Sequence, residues 1–379
     1  MKKTIVHQVS LSNLIGGVQY SFVNYFKEAI KSSAFTHEIF GMHELDNNSF
    51  DIDASYYKNI KSSVFIFLQF CFRLCSAHYI IHFYNNLGSK KLYYLLKCLP
   101  VNNIIFHERG TSWNLNENKA YIIKSNLKKA KVVIVNSEAS KIILLEKFKI
   151  ISTNIEVIYN GILPLTKITN KKEVQKNDNF KIGFLGRLDT HKGVHTFIDL
   201  AKRMNNCDFL IGGSGALEKN LKEYGDDLPN LRFLGRVISF EFLSKIDLLI
   251  VPSIREPLGN VIIEAGFLKC PVIASNVDGI PEIISHNENG ILITPKLPPR
   301  KMDLPNDAVD YPQYVVDGNS RKLTSPKEID VEELQSSVDF LKLNKKKRYE
   351  LGNNLFTTVK DKFTLATYFQ KLELLYKSI

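Results

Sequence analysis

The amino-acid sequence predicts an α/β protein of two doubly wound domains, and three observations support this prediction. The chain has 379 residues, and a domain usually contains about 100–200 residues, so two domains are expected. Short β-like segments alternate with helical patterns in both halves, which is typical of parallel sheets covered by helices on both faces. Between the halves, residues 167–179 are rich in Lys, Asn and Thr and have the composition of a linker.

The individual elements follow from runs of apolar residues and their spacing. In the first half we predict strands at residues 4–9, 38–41, 79–82, 103–107 and 132–136, and helices at 18–32 and 121–129. In the second half we predict strands at residues 181–185, 208–211, 231–234, 248–252 and 272–274, and helices at 194–203, 241–244 and 261–268. Each half therefore has enough strands for one parallel sheet.

The alternation of strands and helices ends after the last predicted strand. Residues 295–333 contain six prolines, so we predict a long irregular loop or insertion there. The pattern from residue 331 to residue 379 is helical. The first series of strands and helices ends at residues 158–161, and the second begins at Phe180.

The chain carries a net charge of +11, and most of the excess lies in its first part. Residues 1–165 contain 19 Lys and Arg against 11 Asp and Glu, which gives +8. This favours an anionic partner such as membrane lipid, a phosphorylated acceptor or nucleic acid, although a solvated basic surface has the same composition. Because aromatic residues are not interleaved with the basic ones, we expect no nucleic-acid partner.

The sequence argues against a disulfide-rich, secreted or membrane-spanning protein. The five cysteines are scattered without a C-x-x-C pair, so neither a disulfide framework nor a zinc site is expected. Residues 1–6 begin like a signal peptide, but the apolar run stops at His7 and Gln8. The best candidate for a span, residues 64–75, is shorter than the ~18 residues required and contains Arg73. We therefore expect a cytoplasmic protein.

Ligands of open α/β sheets bind beyond the carboxyl ends of the strands, so the residues after each predicted strand are candidate site residues. Gly16 and Gly17 follow the first strand and open a helix. Two glycines let the backbone approach a ligand, and the N–H groups of a helix N-terminus favour an anion. A tight turn explains the same two glycines equally well.

Two cations and a glycine-rich loop follow the first two strands of the second half. Arg187 and Lys192 flank a strand–helix turn and together suit a pyrophosphate, Arg by its planar fork and Lys as a point charge. Ordinary surface charge is the alternative. Gly213 lies in the loop at residues 212–215, where glycines allow a nucleotide to approach closely.

Residues 255–264 give the strongest indication of a site. Glu256 precedes a helix that begins near Gly259, and Glu264 lies one to two turns inside that helix. The first amides of the helix form an anion site, and they belong to Leu258, Gly259, Asn260 and Val261. An acidic residue at a helix start is also simply stabilising. Glu264, however, has apolar neighbours in the sequence, and a buried carboxylate needs polar partners such as sugar hydroxyls.

This ordered set of motifs resembles the retaining GT-B glycosyltransferases of family 4, the group 1 glycosyltransferases. Glu256 and Glu264 match the Glu-x7-Glu motif of that family. Further matches are Gly186-Arg187 with Lys192-Gly193, residues 212–215, Asp278-Gly279-Ile280-Pro281-Glu282, Asn136-Ser137 and Asn160-Gly161. The resemblance covers nearly the whole chain.

The resemblance implies two Rossmann-like domains that face a central cleft. Residues 1–165 would bind the acceptor, and residues 166–361, with the insertion at about 295–333, would bind the nucleotide-sugar donor. A C-terminal helix at residues 362–379 would cross back to the first domain.

The resemblance also assigns roles to the candidate residues. Arg187 and Lys192 would bind the donor diphosphate, Glu264 the ribose hydroxyls, and Glu256 the transferred sugar near its 3-hydroxyl. The amides at residues 258–261 would contact sugar and phosphate. Gly16 and Gly17 would let the first domain approach the donor.

His107 matches a histidine that is often placed beside the sugar at its 6-hydroxyl in that family. A histidine at a strand end is, however, often only a satisfied polar residue. Glu108 or Arg109 could face the acceptor instead.

The implied reaction needs no metal and no cofactor apart from the donor, a UDP- or GDP-sugar. Arg187, Lys192 and the helix N-terminus would stabilise the charge of the leaving diphosphate. Asp51-Ile52-Asp53 superficially matches a D-x-D metal motif, but it lacks the sequence context of the fold that uses that motif.

The leading hypothesis is a transferase of bacterial surface polysaccharide or lipopolysaccharide synthesis, acting on a saccharide or lipid-linked acceptor. Its basic first domain would make peripheral contact with the inner membrane. The alternatives are a sugar-nucleotide epimerase of the same architecture and a non-catalytic nucleotide-sugar binding protein.

Overall fold

The computed structural model describes residues 2–11, 17–46, 49–151, 154–163, 179–301 and 304–379. The chain divides into two compact units. Unit 1 comprises Met1–Leu163 and Thr364–Ile379, and unit 2 comprises Pro164–Phe363. Gly16 and all but the last residue of the predicted linker lie outside the described residues. Each unit is an α/β fold with its own parallel sheet, as the alternating pattern predicted.

Unit 1 contains a seven-stranded sheet. Its strands are β1 (Thr4–Gln8), β2 (Thr36–Gly41), β3 (Tyr57–Asn59), β4 (Tyr79–Tyr84), β5 (Ile104–Glu108), β6 (Ala130–Val135) and β7 (Ile155–Val157). They lie in the order β3-β2-β1-β4-β5-β6-β7, and every pairing is parallel. The central strands β1 and β5 are buried along their whole length, which explains their mostly apolar sequences.

Helices cover this sheet. They are α1 (Gly17–Ser32), α2 (Val64–Cys75), α3 (Lys90–Cys98), α4 (Ala120–Lys129) and α5 (Glu138–Ile142), which continues as a π-helical turn over Ile143–Lys147. Short 3₁₀ turns lie at Ala54–Tyr56, Ser112–Asn114 and Glu117–Lys119. In α1, Phe22, Phe26 and Ala29 are buried because their helical spacing places them on one face. Ser63 and Ser89 cap α2 and α3 by accepting a backbone N–H of the first turn.

Unit 2 contains a six-stranded parallel sheet. Its strands are β8 (Phe180–Leu185), β9 (Cys207–Gly212), β10 (Leu231–Phe233), β11 (Leu248–Val251), β12 (Val272–Ser275) and β13 (Ile291–Ile293), in the order β10-β9-β8-β11-β12-β13. Strands β9 and β10 are added on one side of β8, and the chain then returns to add β11, β12 and β13 on the other side of β8. The direction therefore reverses between β8 and β11, and such a reversal opens a crevice at the carboxyl ends of the strands.

The helices of unit 2 are α6 (Val194–Arg203), α7 (Glu218–Tyr224), α8 (Ser239–Leu243), α9 (Asn260–Phe267), α10 (Val331–Leu343) and α11 (Lys345–Lys362), with 3₁₀ turns at Thr190–Lys192 and Ile280–Glu282. In α6, Val194, Phe197, Ile198 and Ala201 recur at helical spacing and are buried in the core. α9 is mostly buried, and Gly266 lies so close to α11 that an added Cβ would be 2.7 Å from Val359.

Most of the described residues between 295 and 330 lie outside helices and strands, but the segment is not irregular throughout. It contains an antiparallel hairpin of β14 (Val315–Val316) and β15 (Leu323–Thr324). An isolated bridge joins Leu297 to Glu328, and another joins Asp317 to Val277 beyond β12. Strands of two residues are too short to produce a recognisable alternation of apolar and polar residues.

The helical prediction for residues 331–379 is confirmed, and the last helix belongs to unit 1. This helix, α12 (Leu365–Ser378), begins at Thr364, whose hydroxyl accepts the N–H of Thr367. Leu372 and Tyr376 of α12 are fully buried in a core cluster with residues of α1 and of the central strands. The ring centroids of Tyr25 and Tyr368 lie 5.7 Å apart in an edge-to-face contact.

All ten predicted strands are present within two residues of their expected ends. Of the five strands that the sequence did not reveal, β14 and β15 form the hairpin, and β3, β7 and β13 each have three residues and lie at the edge of a sheet. Edge strands are short and less buried, so they leave little apolar pattern. The helices α2, α3, α5 and α7 were also missed.

Candidate active site

The crevice between β8 and β11 brings two loops of unit 2 together. Residues 186–193 follow β8 and residues 252–259 follow β11, and the two strands are direct neighbours. The carbonyl of His191 accepts the backbone N–H groups of Ile254 and Arg255, at 2.9 and 3.2 Å. These bonds fix the first loop to the second, so side chains on the two loops have a defined separation.

Lys192 and Glu256 meet in this crevice. Lys192 Nζ donates to Glu256 Oε2 at 2.6 Å, and the two side chains are 18% and 9% exposed. The hydroxyl of Ser253 lies 3.3 Å from the same oxygen and donates to it. A charge-assisted bond of this length holds both side chains in one geometry. Two residues predicted from separate motifs thus form a single polar centre.

Arg187 lies on the same loop as Lys192, before its 3₁₀ turn. Its guanidinium is 64% exposed, and Nη1 lies 3.2 Å from Oδ2 of the buried Asp189. Asp189 therefore orients a guanidinium that is mostly exposed to solvent. The structure places the two predicted diphosphate-binding cations on one loop, each beside a carboxylate.

Two predicted glycines occupy positions that no larger residue fits well. Gly213 has φ +132°, and a Cβ there would lie 1.8 Å from the carbonyl oxygen of Gly186. The loop after β9 is thereby packed directly against the loop after β8. Gly259 has φ +104° and caps α9. Both backbones are in the left-handed region that favours glycine.

The N-terminus of α9 lies at the end of the loop that follows β11. Leu258 is buried, Gly259 is the capping residue, and Asn260 and Val261 form the first turn. The first amides of a helix have no acceptor within the helix, and the helix dipole gives this end partial positive charge. The start of α9 is therefore suited to a phosphate, as the sequence predicted.

Glu264 lies in the second turn of α9 and is partly buried. Burial raises the pKa of its carboxyl to about 7, and a hydrogen bond with Ser239 of α8 opposes this rise. A carboxyl with this pKa exchanges readily between accepting and donating near neutral pH, which suits ligand hydroxyls. The sequence indicated that Glu264 needs a polar partner but could not identify Ser239.

Asp278 is a functional candidate whose role the sequence did not show. It is fully buried, and its Oδ2 accepts the backbone N–H of Glu256 at 2.9 Å. Its Oδ1 accepts the N–H of Val316 in β14 at 2.7 Å. Burial raises the pKa of Asp278 to about 7, while the two N–H groups and the charge of Arg255 lower it. One carboxylate thus ties the inserted hairpin to the backbone of Glu256.

Arg321 holds the other side of the same hairpin. Its Nη1 donates to the carbonyl of Asp278 at 2.6 Å, and its Nη2 donates to Glu282 Oε1 at 2.7 Å. The motif at residues 278–282 therefore binds the hairpin through its first and last residues. The sequence showed residues 278–282 as a motif, but it gave no indication of their partner Arg321.

His191, in the 3₁₀ turn after β8, is a further residue for which the sequence predicted no role. It is buried, and burial together with Arg255, Lys192 and Arg187 lowers the pKa of its imidazole. The ring is therefore neutral at physiological pH. Within the described residues, its Nδ1 is buried without a hydrogen-bond partner.

His107 lies inside unit 1. It is fully buried on β5, and its Nδ1 lies 3.2 Å from Nε2 of His82, whose Nδ1 lies 2.6 Å from the hydroxyl of Tyr376. Burial and the charge of Arg109 lower the pKa of His107, so it is neutral. Its predicted contact with a sugar remains a prediction, and the observed side chain is enclosed by protein.

The two neighbours of His107 differ in their surroundings. Glu108 is buried and accepts the hydroxyl of Thr111 at 2.7 Å and the N–H of Ser112 at 2.9 Å. Arg109 Nη2 donates to Asn160 Oδ1 at 2.8 Å and to Ser21 of α1 at 3.0 Å. Asn160 belongs to the predicted Asn160-Gly161 motif, so Arg109 links that motif to α1. Gly17 is the first residue of α1.

The weak metal motif has structural partners of its own. Asp51 pairs with Lys27 at 2.6 Å, and Asp53 caps a 3₁₀ turn by accepting the N–H of Ser55. In the part of the chain that the structure describes, no three His, Cys, Asp or Glu side chains are grouped as metal ligands. Nor does any helix among the described residues have the length and apolar character needed to cross a membrane.

Comparison with known sequences identifies similarity centred on unit 2. The family model described as "Glycosyl transferases group 1" matches residues 166–302. The capsular polysaccharide biosynthesis glycosyltransferase CapM of Staphylococcus aureus is 30% identical over 185 residues, covering 46% of this chain and 45% of that protein. The chain spans about half the length of the curated relatives it matches.

Comparison with solved structures extends over the whole chain. The Anabaena protein Alr3699/HepE, solved in complex with UDP-glucose, has a TM-score of 0.72 and 16% identity, with 100% of both chains covered. Sucrose-phosphate synthase from Thermosynechococcus elongatus has a TM-score of 0.74 and 17% identity, with 100% of this chain and 99% of that chain covered. These similarities establish the fold.

Proposed function

We propose, from the premise that this chain belongs to the group 1 glycosyltransferases and has the GT-B fold, that it transfers a sugar from a nucleoside diphosphate sugar to a saccharide or lipid-linked acceptor. Members of the family retain the configuration of the transferred sugar. The observation that carries the proposal is the pair of Lys192 and Glu256, 2.6 Å apart in the crevice between β8 and β11. Ligands of open α/β sheets bind at this reversal of strand order.

The donor diphosphate is proposed to bind between the loop after β8 and the start of α9. Lys192 and Arg187 supply two positive charges, and the amides of residues 258–261 supply donors aligned with the helix dipole. Lys192 is held by its hydrogen bond to Glu256. The diphosphate would share Lys192 with that carboxylate, which holds the cation in position.

Glu256 and Glu264 are proposed to bind different parts of the donor. Glu264 lies in the second turn of α9 and would bind the ribose hydroxyls, while Glu256 precedes that helix and would bind the transferred sugar near its 3-hydroxyl. Asp278 fixes the backbone of Glu256 through a bond of 2.9 Å. We assign Glu256 to positioning the sugar and assign it no nucleophilic role.

The proposed chemistry breaks the bond between the sugar C1 and the β-phosphate oxygen, and the electron pair leaves with the phosphate. The acceptor oxygen forms its bond to C1 on the same face, and its proton passes to the departing phosphate. Lys192, Arg187 and the start of α9 would stabilise the negative charge that develops on this oxygen. His107 would act beside the sugar only if its ring became accessible.

We propose a UDP- or GDP-sugar as donor and a role in bacterial surface polysaccharide or lipopolysaccharide synthesis at the cytoplasmic face of the inner membrane. CapM is named for capsular polysaccharide biosynthesis, and the fold match Alr3699/HepE was solved with UDP-glucose. The net charge of +8 on residues 1–165 is compatible with peripheral contact with anionic lipid.

A thermal-shift screen with UDP-, GDP-, ADP- and CDP-sugars tests the proposal, since a bound donor raises the melting temperature by mass action. The preferred donor should stabilise the wild-type protein and have less effect on Glu256→Ala and Arg187→Ala. Full transfer activity in both variants would refute the site assignment. Turnover of the donor without any acceptor would favour an epimerase.

A further inference from the structure

Five large apolar side chains of α2 face solvent. Their exposed fractions are 75% for Val64, 68% for Phe65, 40% for Phe67, 58% for Leu68 and 64% for Phe72. The opposite side of the helix is also apolar, and its residues Phe70 and Leu74 are buried against the sheet. A helix that covers a sheet normally presents polar residues to water on its outer side. Among the described residues of unit 1, this apolar face of α2 has no partner.

The most exposed residues form one continuous strip along the helix. Phe65, Leu68 and Phe72 recur at i, i+3 and i+7, and Val64 precedes them at the first turn. We call these four residues the α2 stripe. Contiguous apolar surface of this kind marks an interaction site, whereas single exposed apolar residues do not.

The chain that carries the α2 stripe is basic. Residues 54–107 contain no Asp or Glu and six cations, which are Lys58, Lys61, Arg73, Lys90, Lys91 and Lys97. Lys58 and Arg73 pair with Glu38, at 3.6 and 2.7 Å. Lys61 and the three lysines of α3 are exposed. Helix α3 shares a core cluster with α2, so the two helices pack on the same face of the sheet.

We propose that the α2 stripe inserts into the headgroup region of an anionic lipid bilayer. This inference rests on the proposed function, because it names the surface by which the transferase meets a membrane. Apolar side chains enter the interface while exposed lysines on the same side of unit 1 bind lipid phosphates, and the two effects add. A second copy of this chain is a less favourable occupant, since symmetric contact between two stripes would bring two acid-free basic segments together.

Vesicle co-sedimentation of the full chain, without donor or acceptor, tests the α2 stripe. The wild-type protein should sediment with phosphatidylglycerol-containing vesicles. The triple variant Phe65→Gln, Leu68→Gln, Phe72→Gln should lower the partition coefficient at least about tenfold. These side chains are exposed and Gln is a good helix former, so the fold should persist, which circular dichroism would verify. The matched control is Leu343→Gln, Tyr349→Gln, Leu374→Gln, which removes side chains that are 86%, 72% and 67% exposed elsewhere.

A second set of variants tests whether the exposed lysines contribute to vesicle binding. Lys61→Gln, Lys90→Gln, Lys91→Gln should reduce binding to phosphatidylglycerol vesicles and leave weak binding to phosphatidylcholine vesicles unchanged. Its control is Lys345→Gln, Lys346→Gln, Lys360→Gln, which removes three exposed lysines from α11. Raising the salt concentration should weaken wild-type binding, because headgroup attraction is screened.

Three results would overturn the inference. These are the absence of wild-type binding to phosphatidylglycerol vesicles, equal binding by the stripe variant, and self-association in analytical ultracentrifugation that only the stripe variant abolishes. The vesicle assay requires no sugar donor. A negative result there leaves the donor thermal-shift test of the proposed function intact, and a negative donor screen leaves the vesicle result intact.

Discussion

Lys192 and Glu256 are 64 positions apart in the sequence, yet Nζ of one lies 2.6 Å from Oε2 of the other. The contact joins the loop after β8 to the loop after β11, at the reversal of strand order. Because both side chains are largely buried, their separation is set by the sheet rather than by surface mobility.

Lys192→Gln should remove a cation from the proposed diphosphate site and lower kcat by about 10²-fold, as loss of a transition-state charge partner typically does. Steady-state kinetics with the donor identified by thermal shift would measure this. Lys296→Gln is the matched control, since Lys296 also pairs with a glutamate, Glu333 at 2.8 Å, but is 62% exposed. Equal losses in the two variants would contradict a specific role for Lys192.

Asp278→Asn should destabilise unit 2 by about 1–3 kcal/mol, because an amide can accept only one of the two backbone N–H groups that the carboxylate holds. If Asp278 positions Glu256, kcat should also fall while the donor dissociation constant changes little. Denaturant unfolding and single-turnover kinetics would separate the two effects. Arg321→Gln leaves the carboxylate in place, so it should lower kcat less; the reverse ranking would argue against positioning through Asp278.

Gly213→Ala should destabilise the protein by more than about 3 kcal/mol, since the new Cβ would overlap the carbonyl oxygen of Gly186 in a backbone region unfavourable to alanine. Gly235→Ala is the control, because Gly235 has φ +65° but nothing within 4 Å of an added Cβ. It should cost only about 1 kcal/mol. Melting temperatures of the two variants would show whether close approach, rather than φ alone, requires glycine at position 213.

Glu264 should make unit 2 less stable as the pH rises from about 4.5 towards 7. Its folded pKa of about 7 lies above its ordinary value of 4.5, so the folded state binds more protons across this window. The stabilisation is complete below the ordinary pKa and is lost through the folded pKa, a change of about 1–3 kcal/mol. Hydrogen exchange of the α9 amides, corrected for intrinsic rates, should show this dependence, and Glu264→Gln should remove it. An unchanged dependence in the variant would refute the assignment.

The buried histidines of unit 1 should make its stability depend on pH in the opposite direction. Burial lowers the pKa of His7, His82 and His107 well below the ordinary value, and lowers that of His37 to about 4. The unfolded state therefore binds more protons below pH about 6.5, and unit 1 loses stability as the pH falls. Hydrogen exchange in β4 and β5 should accelerate between pH 7 and 5 after correction for intrinsic rates. Constant protection of these strands would contradict the predicted uptake of protons.

The sequence predicted the central strands of both sheets because these strands are buried on both faces and are almost continuously apolar. It predicted Arg187 and Lys192 as cations at a strand end, and the structure places both on one loop. It did not predict that Lys192 pairs with Glu256, since the contact depends on which strands are neighbours. Asp278 was visible as part of the motif at residues 278–282, but its partner Val316 was not, because that residue lies in a hairpin too short to leave a pattern.

The apolar run at residues 64–75 shows a different limit of prediction from the sequence. Its apolar composition was evident, and its length correctly argued against a membrane span. Composition alone could not show that Phe65 and Phe72 face solvent while Phe70 is buried. That division depends on the orientation of α2 against the sheet, which only the fold defines.

The return of α12 to unit 1 has a consequence for folding during synthesis. Unit 2 is continuous in the sequence, whereas the core of unit 1 is completed by Leu372 and Tyr376, which the ribosome adds after all of unit 2. Domains of a nascent chain usually fold in order from the N-terminus. Here the second unit can finish first, and until then the seven-stranded sheet lacks α12, so the apolar surface that this helix covers beside α1 remains exposed. A chaperone that shields nascent apolar surface would therefore be needed longest by the unit that is translated first.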